Sequence, residues 1–577
     1  MLRTLALRLA LLSCLSLYAI HFIILQGYAV NIPYWDEWDA LNPNQLPAGF
    51  SLRWLFSQHN EHRIVTTRLF TWVLYRLNGW NLVTHQTINF LLYGVLLVVV
   101  ILFARKFVPQ VKAWVVLSFT PFMLSPINWE NHFWGFQMQF HFSLLFLIAT
   151  IYFWYDEEQR WSGMFLGSAM AILSIYSMSS GLISSFVCLF IFGLFKLLRA
   201  RSASPPQDRK RELQQLLVVV GLVGMAMALW FVDYRAVATH PSLALPYTPL
   251  FWSYFANIIG LGFGLDGLAF LPNLFCLAIV LAPIAWMVWQ RKGRLPNSSW
   301  AVYAAVACIL AALSVITMGR ANFGPEQAKA SRYSEIGMML IPLTALAYSI
   351  ALQNRENLRA LFLVAFWVFC FFTFENNWRE FSQYEVAAKQ RTRGIVCIEK
   401  YYARKEDAVC PSLYPEPIGR KLDEAQKLNL SFYRNMQQYV VLSQEPVTRP
   451  AIERKTLYYI DLLNGQLLSK GASVVINRQT TREISLTGWA VDVNSESEAA
   501  DVYIMVDGQT EIPATYGLDR PDVAEVHKNP RYRFSGFSGS IPTASLVPGR
   551  HTLSLRIQKT FRNGYYEPEE RIEIDVH

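Results

Sequence analysis

The chain has 577 residues, 53% of them apolar and 16% charged, with a formal net charge of +9. Apolar residues crowd into long runs up to about Phe374 and thin out beyond it, which excludes a single small soluble domain and a disordered chain. The positive balance does not call for nucleic acid, because Lys and Arg in the loops between membrane helices supply much of it.

Runs of roughly 18 or more apolar residues mark membrane-spanning helices. In chain order the sequence predicts about eleven: 6–27, 87–104, 112–127, 140–155, 162–179, 182–198, 213–232, 269–289, 299–318, 336–353 and 359–375. Arg105, Lys106 and Lys112, the basic cluster from Lys196 to Arg211, Arg291, Lys292 and Arg294, and Arg355 with Arg359 all fall on one side of this count, as do Arg3 and Arg8. The positive-inside rule makes that side the cytoplasm, so the N-terminus is expected inside and the chain after 376 outside. The first run lacks a small-residue cleavage site behind it and reads as an uncleaved anchor.

The first outward loop, about 29–86, opens with Pro33-Tyr34-Trp35-Asp36-Glu37-Trp38-Asp39, three carboxylates among aromatics where the chain leaves the bilayer. Acids there are either solvated loop or part of a site, because drawing them toward lipid is costly. Gln58-His59-Asn60-Glu61-His62-Arg63 follows, and Ile64 to Leu77 has the mixed three- and four-residue apolar spacing of an amphipathic surface helix. Arg76 in that helix reads as a snorkelling residue. The second loop carries Asn128-Trp129-Glu130-Asn131-His132-Phe133-Trp134, then Gln137, Gln139 and His141 at every second position. Those three cannot share one helical face, which suggests a helix break or re-entrant turn lining a polar cavity. The third loop holds Arg320 and Ser331-Arg332-Tyr333, basic residues on the side where they are disfavoured.

His59, His62, His85, His132, His141 and His240 also fall at outward positions. Long polar outer loops alone could account for this. The spans, however, read as almost free of ionisable groups, whereas a proton-coupled transporter places them at mid-span depth. Chemistry at the outer surface is the expectation.

In the polar tail, Cys397 and Cys410 are a candidate disulfide in an oxidising compartment, the alternative being two free thiols. A helix is predicted around Lys421–Leu430, and few long strands before 471. Beyond it, Ser473–Ile476, Ile484–Val491, Asp501–Val506, Gly536–Ile541 and Thr552–Ile557 are β-rich runs separated by turns such as Asp507-Gly508 and Pro548-Gly549, the pattern of an antiparallel sandwich. The fold class expected is a polytopic α-helical membrane domain over 1–375, a helical linker over 376–470 and an extracytoplasmic all-β sandwich over 471–577. Gly488-Trp489-Ala490, Val506-Asp507-Gly508, Arg520-Pro521-Asp522-Val523 and Pro548-Gly549-Arg550-His551 resemble small β-domains attached to bacterial surface-glycan enzymes. That resemblance implies glycan binding or positioning of the catalytic half; Trp489 itself reads first as core.

Arginine grips phosphate oxygens bidentately and keeps its charge, so Arg320 and Arg332, then Arg63, are the candidate ligands for a lipid-carrier phosphate. Displacing a sugar from such a carrier also needs a carboxylate base within reach of the acceptor hydroxyl. With a short inner N-terminus, one span and an acidic outer loop followed by amphipathic helices, residues 1–400 resemble the GT-C glycosyltransferases, polytopic enzymes that use polyprenyl-phosphate-linked sugars. The resemblance implies a catalytic aspartate at Asp36, with Glu37 or Asp39 as alternatives, and inversion at the anomeric centre. It implies a hexosyl- or pentosyltransferase acting on a glycan or glycolipid acceptor at the outer face of a bacterial cytoplasmic membrane. His59, Glu61, His62, Glu130, His132 and Tyr333 would shape the pocket. The resemblance makes no cofactor certain: some members of that family bind a divalent metal, for which Asp36, Glu37 and His62 could serve, and more often they manage without one. The alternatives are a glycan polymerase or ligase, and a non-enzymatic lipid-linked glycan flippase or export component.

Overall fold

A computed structural model describes residues 2–109, 111, 113–203, 205–237, 240–291, 296–404, 410, 413–434, 451–467, 473–478, 480–559 and 564–577. The chain divides into two compact units, one of Met1–Asn31 with Ala40–Glu385 and one of Ile32–Asp39 with Val386–His577.

Among the described residues nine helices, all in the first unit except the end of the last, are long and apolar enough to cross a membrane: Leu7–Tyr28, Leu82–Phe107, Gly135–Trp154, Ser179–Ser202, Pro206–Trp230, Phe270–Trp289, Asn297–Phe323, Ser331–Ala351 and Glu356–Thr392. This is a multi-pass membrane protein. Two of the eleven expected spans come out short. Ala113–Met123 has Pro121 inside it and is followed by the Pro126–Asn128 turn, where missing N–H groups break the ladder. Trp161–Ile175 has 15 residues, about 22 Å, against about 30 Å of hydrocarbon. The Ser331–Ala351 span is itself interrupted at Met339, just before Pro342. Pro also accounts for the start of the buried Pro249–Gly262 helix, whose Thr248 cap accepts from Phe251 N.

Small residues let helices in this unit approach closely. A Cβ on Gly262 would lie 2.4 Å from the Gly337 carbonyl carbon, and one on Gly337 would lie 2.7 Å from Gly262 Cα. Gly262→Ala is therefore expected to destabilise by about 1–3 kcal/mol through overpacking. Gly221→Ala, where nothing lies within 4 Å, is the matched control and should leave the melting temperature of detergent-purified protein unchanged or slightly raised.

In the second unit, the Ser382–Arg404 helix carries Cys397, which is bonded to Cys410 with a Cα–Cα distance of 5.9 Å. The Gly419–Lys427 helix follows. The β-domain has two sheets. In one, Gly549–Gln558 pairs antiparallel with Asp501–Val506, Ile572–Val576 and Gly564–Tyr566. In the other, Glu483–Asp492 lies between Tyr458–Leu463 and Gly536–Pro542. Strands as early as Ala451–Glu453 thus enter the sheets ahead of residue 471. Burial alternates along Glu483–Asp492, so that Ile484 and Leu486 meet Ile504, Phe537, Leu555 and Ile574 in one sandwich-like core. Asp507 and Gly508, both at positive φ, close the hairpin that the sequence signals. Pairing departs from purely antiparallel at two places, Ala451–Glu453 on Gly564–Tyr566 and Ser473–Ile476 on Ile572–Val576. Both join segments far apart in the chain, as parallel pairing requires.

Candidate functional site

The Gln58–Arg63 stretch folds into a tight turn in which His59 and His62 exchange backbone hydrogen bonds of 2.8 Å and Asn60 takes a left-handed conformation. This presents Glu61. Arg320, at the C-terminus of the Asn297–Arg320 helix, donates to Glu61 Oε1. His62 Nε2 lies 3.6 Å from the same oxygen, and His240 Nδ1 lies 3.4 Å from Oε2. Burial pushes the Glu61 carboxyl up, but His62, Arg320 and His240 together outweigh it and hold the group below its ordinary value.

A carboxylate with a lowered folded-state pKa contributes stability that is present above its unfolded value and lost as pH falls through the folded one. Acidifying below the ordinary value of 4.5 should therefore cost the wild type more thermal stability than it costs Glu61→Gln. Parallel pH–melting curves for the two proteins would contradict this pairing.

A second carboxylate–arginine pair lies on the Ser331–Met338 helix. Glu130 Oε2 accepts from Arg332 N at 3.0 Å and Glu130 Oε1 from Arg332 Nη1 at 3.3 Å. Glu130 N in turn donates to Ser331 Oγ at 3.1 Å. Arg332 sits over the ring of the buried Tyr333 at 5.4 Å. The Glu130 and Arg332 side chains remain 20% and 29% exposed, so both are accessible to a ligand.

Near both arginines is a residue the sequence reading did not single out. Tyr254 is 1% exposed and its hydroxyl has no hydrogen-bond partner among the described residues. Burial, and then Tyr333, raise its pKa against the opposing charge of Arg320 and Arg332.

Deeper still is a fully buried polar network. His141 Nδ1 meets Glu335 Oε1 at 2.7 Å, and Asn131 Nδ2 donates to Glu335 Oε2 at 2.8 Å and to Arg332 O at 2.9 Å. His132 Nε2 is 3.0 Å from Asn128 Nδ2, and its Nδ1 is 3.3 Å from both His21 Nε2 and the Tyr384 hydroxyl. His21 and Tyr384 meet at 2.6 Å. Gln137, Gln139 and His141 are buried just after the helix breaks at Trp134. The expectation that spans are almost free of ionisable groups therefore fails. Glu335 was findable: it follows Arg332 by one helical turn inside an apolar stretch, where an acid marks a site by default. His21 gives the same signal in the first span.

Arg63 and Arg68 have a different job. Arg63 donates to the carbonyls of Phe56, Val232 and Trp230, the last at 2.7 Å, and stacks on Trp230. Three of its five N–H donors thus go to main-chain carbonyls, so Arg63 clamps this loop. Arg68, on the Val65–Asn78 helix, donates to Trp54 O and Ser57 Oγ at 2.9 Å each. Burial and Arg63 push its guanidinium down to about 10. Arg76 is exposed, 6.0 Å from the Trp72 ring.

The acidic stretch belongs to the second unit. Trp35, at positive φ, donates its N–H to Leu413 O at 2.8 Å, and Trp38 is fully buried against Phe432. Glu37 is 2% exposed, accepts from Tyr34 N at 2.9 Å and attracts the buried Arg391 guanidinium, which lies 4.8 Å over the Tyr34 ring. Asp39 accepts from the Tyr414 hydroxyl at 2.7 Å and Lys421 Nζ at 3.0 Å. Burial, and Asp39 beside it, raise the Tyr414 pKa, so that hydroxyl stays a donor. Asp36 is half-buried on the Trp35–Leu41 turn. Within the metal set considered from sequence, His62 Nδ1 is 2.7 Å from Ser179 Oγ while Glu37 faces Arg391, so both already have protein partners.

The geometry thus offers two carboxylate-backed arginines with an unsatisfied tyrosine hydroxyl in one unit, and three carboxylates in different states of engagement in the other. Comparison of the chain with family models, with curated proteins and with solved structures finds no match.

Proposed function

We propose that the protein is a GT-C-type glycosyltransferase that moves a sugar from a polyprenyl-phosphate or -pyrophosphate carrier to a surface glycan or glycolipid at the outer face of a bacterial cytoplasmic membrane. The observation that carries this reading is a pair of partly exposed guanidiniums, Arg320 on Glu61 and Arg332 on Glu130, donors suited to phosphate oxygens. Glu61 and Glu130 hold the two guanidiniums in place. The acidic-loop resemblance assigns the general base to Asp36. Glu37 faces the Arg391 guanidinium and Asp39 accepts from Lys421 Nζ.

Depth argues against a proton-coupled carrier. Glu335 lies four residues inside its span, His141 six and His21 seven. At 1.5 Å per residue these positions are about 6 to 10 Å along the helix axis from the nearer helix end, whereas a central position in a span of about 30 Å is about 15 Å from either.

The test is mass spectrometry of surface glycans from a strain lacking the protein, complemented with wild type or with Arg320→Ala/Arg332→Ala. Loss of one sugar, restored by wild type only, is the expected result. Unchanged monomer composition with shortened or missing chains would move the assignment to a polymerase, ligase or export component.

A further inference from the structure

The β-domain carries a cavity of about 580 Å³ lined by Glu496, His527, Lys528, Asn529, Arg531 and Tyr532. Its size falls within the range of small-molecule sites. Asn529 ties the rim together: its Nδ2 donates to Glu496 O at 2.9 Å, its Oδ1 accepts from Arg531 N at 3.0 Å, and its N donates to Ala524 O at 3.0 Å. Two lining residues, Glu496 at φ 46 and Lys528 at φ 50, hold left-handed conformations that non-glycine residues seldom adopt. Strain of this kind persists where the surroundings over-determine it, and it concentrates at ligand sites.

Charge separates this rim from its neighbours. Arg520 is neutralised by Asp461 and Asp522, and Arg533 by Asp519. Lys528 and Arg531, between them in sequence, have no carboxylate partner among the described residues. The rim is not uniformly cationic, since the Glu496 carboxylate is exposed at the same cavity. Its walls include flat rings, with His527 5.3 Å from Trp489 and 5.9 Å from Tyr532. Trp489 itself packs on the small apolar cluster of Val491, Val523 and Tyr532 and so supports His527 from behind.

We propose that this cavity binds a saccharide bearing a carboxylate. Lys528 and Arg531 take the acid, Glu496 and Asn529 hydrogen-bond ring hydroxyls, and His527 packs against a sugar face. Glu496 distinguishes this ligand from free phosphate, because it repels a compact dianion yet accepts hydrogen bonds from hydroxyls. The proposal stands on the β-domain alone and does not depend on the transferase reading.

Isothermal titration of full-length, detergent-purified protein tests it, using trigalacturonate, a hyaluronan hexasaccharide, the methyl ester of trigalacturonate and inorganic phosphate. At least one acidic oligosaccharide should bind saturably, and Arg531→Gln and Lys528→Gln should each weaken it about tenfold or more, as loss of a charge-assisted hydrogen bond predicts. The ester should bind comparably more weakly where trigalacturonate binds. Both variants lie on the exposed rim, so they should melt like the wild type. No binding of either acid, unchanged binding by both variants, an ester as good as the acid, or phosphate competing at the oligosaccharide's own concentration would overturn the proposal.

Discussion

Asp36→Asn is expected to leave a folded protein whose sugar transfer falls by about 10²–10⁴-fold, the contribution of a positioned general base. The substitution keeps size and hydrogen-bonding capacity but removes the proton acceptor. Its neighbours should behave differently. Glu37→Gln leaves the buried Arg391 guanidinium without its countercharge, and breaking such a pair costs about 3–5 kcal/mol, so the loss should appear first in folded yield. Asp39→Asn retains an acceptor for Tyr414 and weakens only the attraction to Lys421, which predicts a smaller effect on both readouts. The decisive comparison is single-turnover transfer from a polyprenyl-phosphate sugar in nanodiscs, normalised to folded protein. Full activity in Asp36→Asn would remove the base from that residue. Loss confined to folded Glu37→Gln protein would move the base one position along the chain.

Local signals were readable from the sequence alone. Apolar runs marked the membrane helices, the three- and four-residue spacing marked Val65–Asn78, and Asp507-Gly508 marked its hairpin because both residues tolerate positive φ. The Cys397–Cys410 pair followed from two cysteines in a polar segment. Relations between distant segments were not readable. Asp36, Glu37 and Asp39 follow the first span directly in sequence, yet they pack with residues from the 390s to the 430s, as the Asp39 contacts to Tyr414 and Lys421 illustrate. Arg391 and Tyr254 carry no sequence motif; only burial and neighbouring charge single them out. The arginines of the first loop looked alike in sequence, but Arg63 and Arg68 turned inward to main-chain carbonyls while Arg76 stayed at the surface. Which way each one points depends on the carbonyls that the Leu52–Phe56 and Pro206–Trp230 helix ends leave open, a tertiary circumstance.

Glu335→Ala should be among the most destabilising single changes in the membrane unit. Glu335 and His141 are both fully buried, and removing the carboxylate leaves His141 Nδ1 without its partner and takes from Asn131 one of its two acceptors. If the pair is ionic, the loss is about 3–5 kcal/mol. If the proton rests so that both partners are neutral, an unsatisfied buried group still costs about 1–3 kcal/mol. The double variant His141→Leu/Glu335→Leu removes both partners together and should recover part of the loss, because replacing a buried pair by apolar side chains spares the desolvation penalty. Melting of detergent-purified protein, followed by size-exclusion monodispersity, reads the difference. A Glu335→Ala protein that melts with the wild type would mean that the pair carries no structural weight. Function should follow structure here, since Asn131 bridges Glu335 to the backbone of Arg332. On the proposed transferase function, loosening that bridge frees the guanidinium to wander from a carrier phosphate, so surviving Glu335→Ala protein should show a raised KM for a lipid-linked donor. The same KM shift in Arg332→Ala would place the two residues on one path, with Glu335 acting through the position of Arg332.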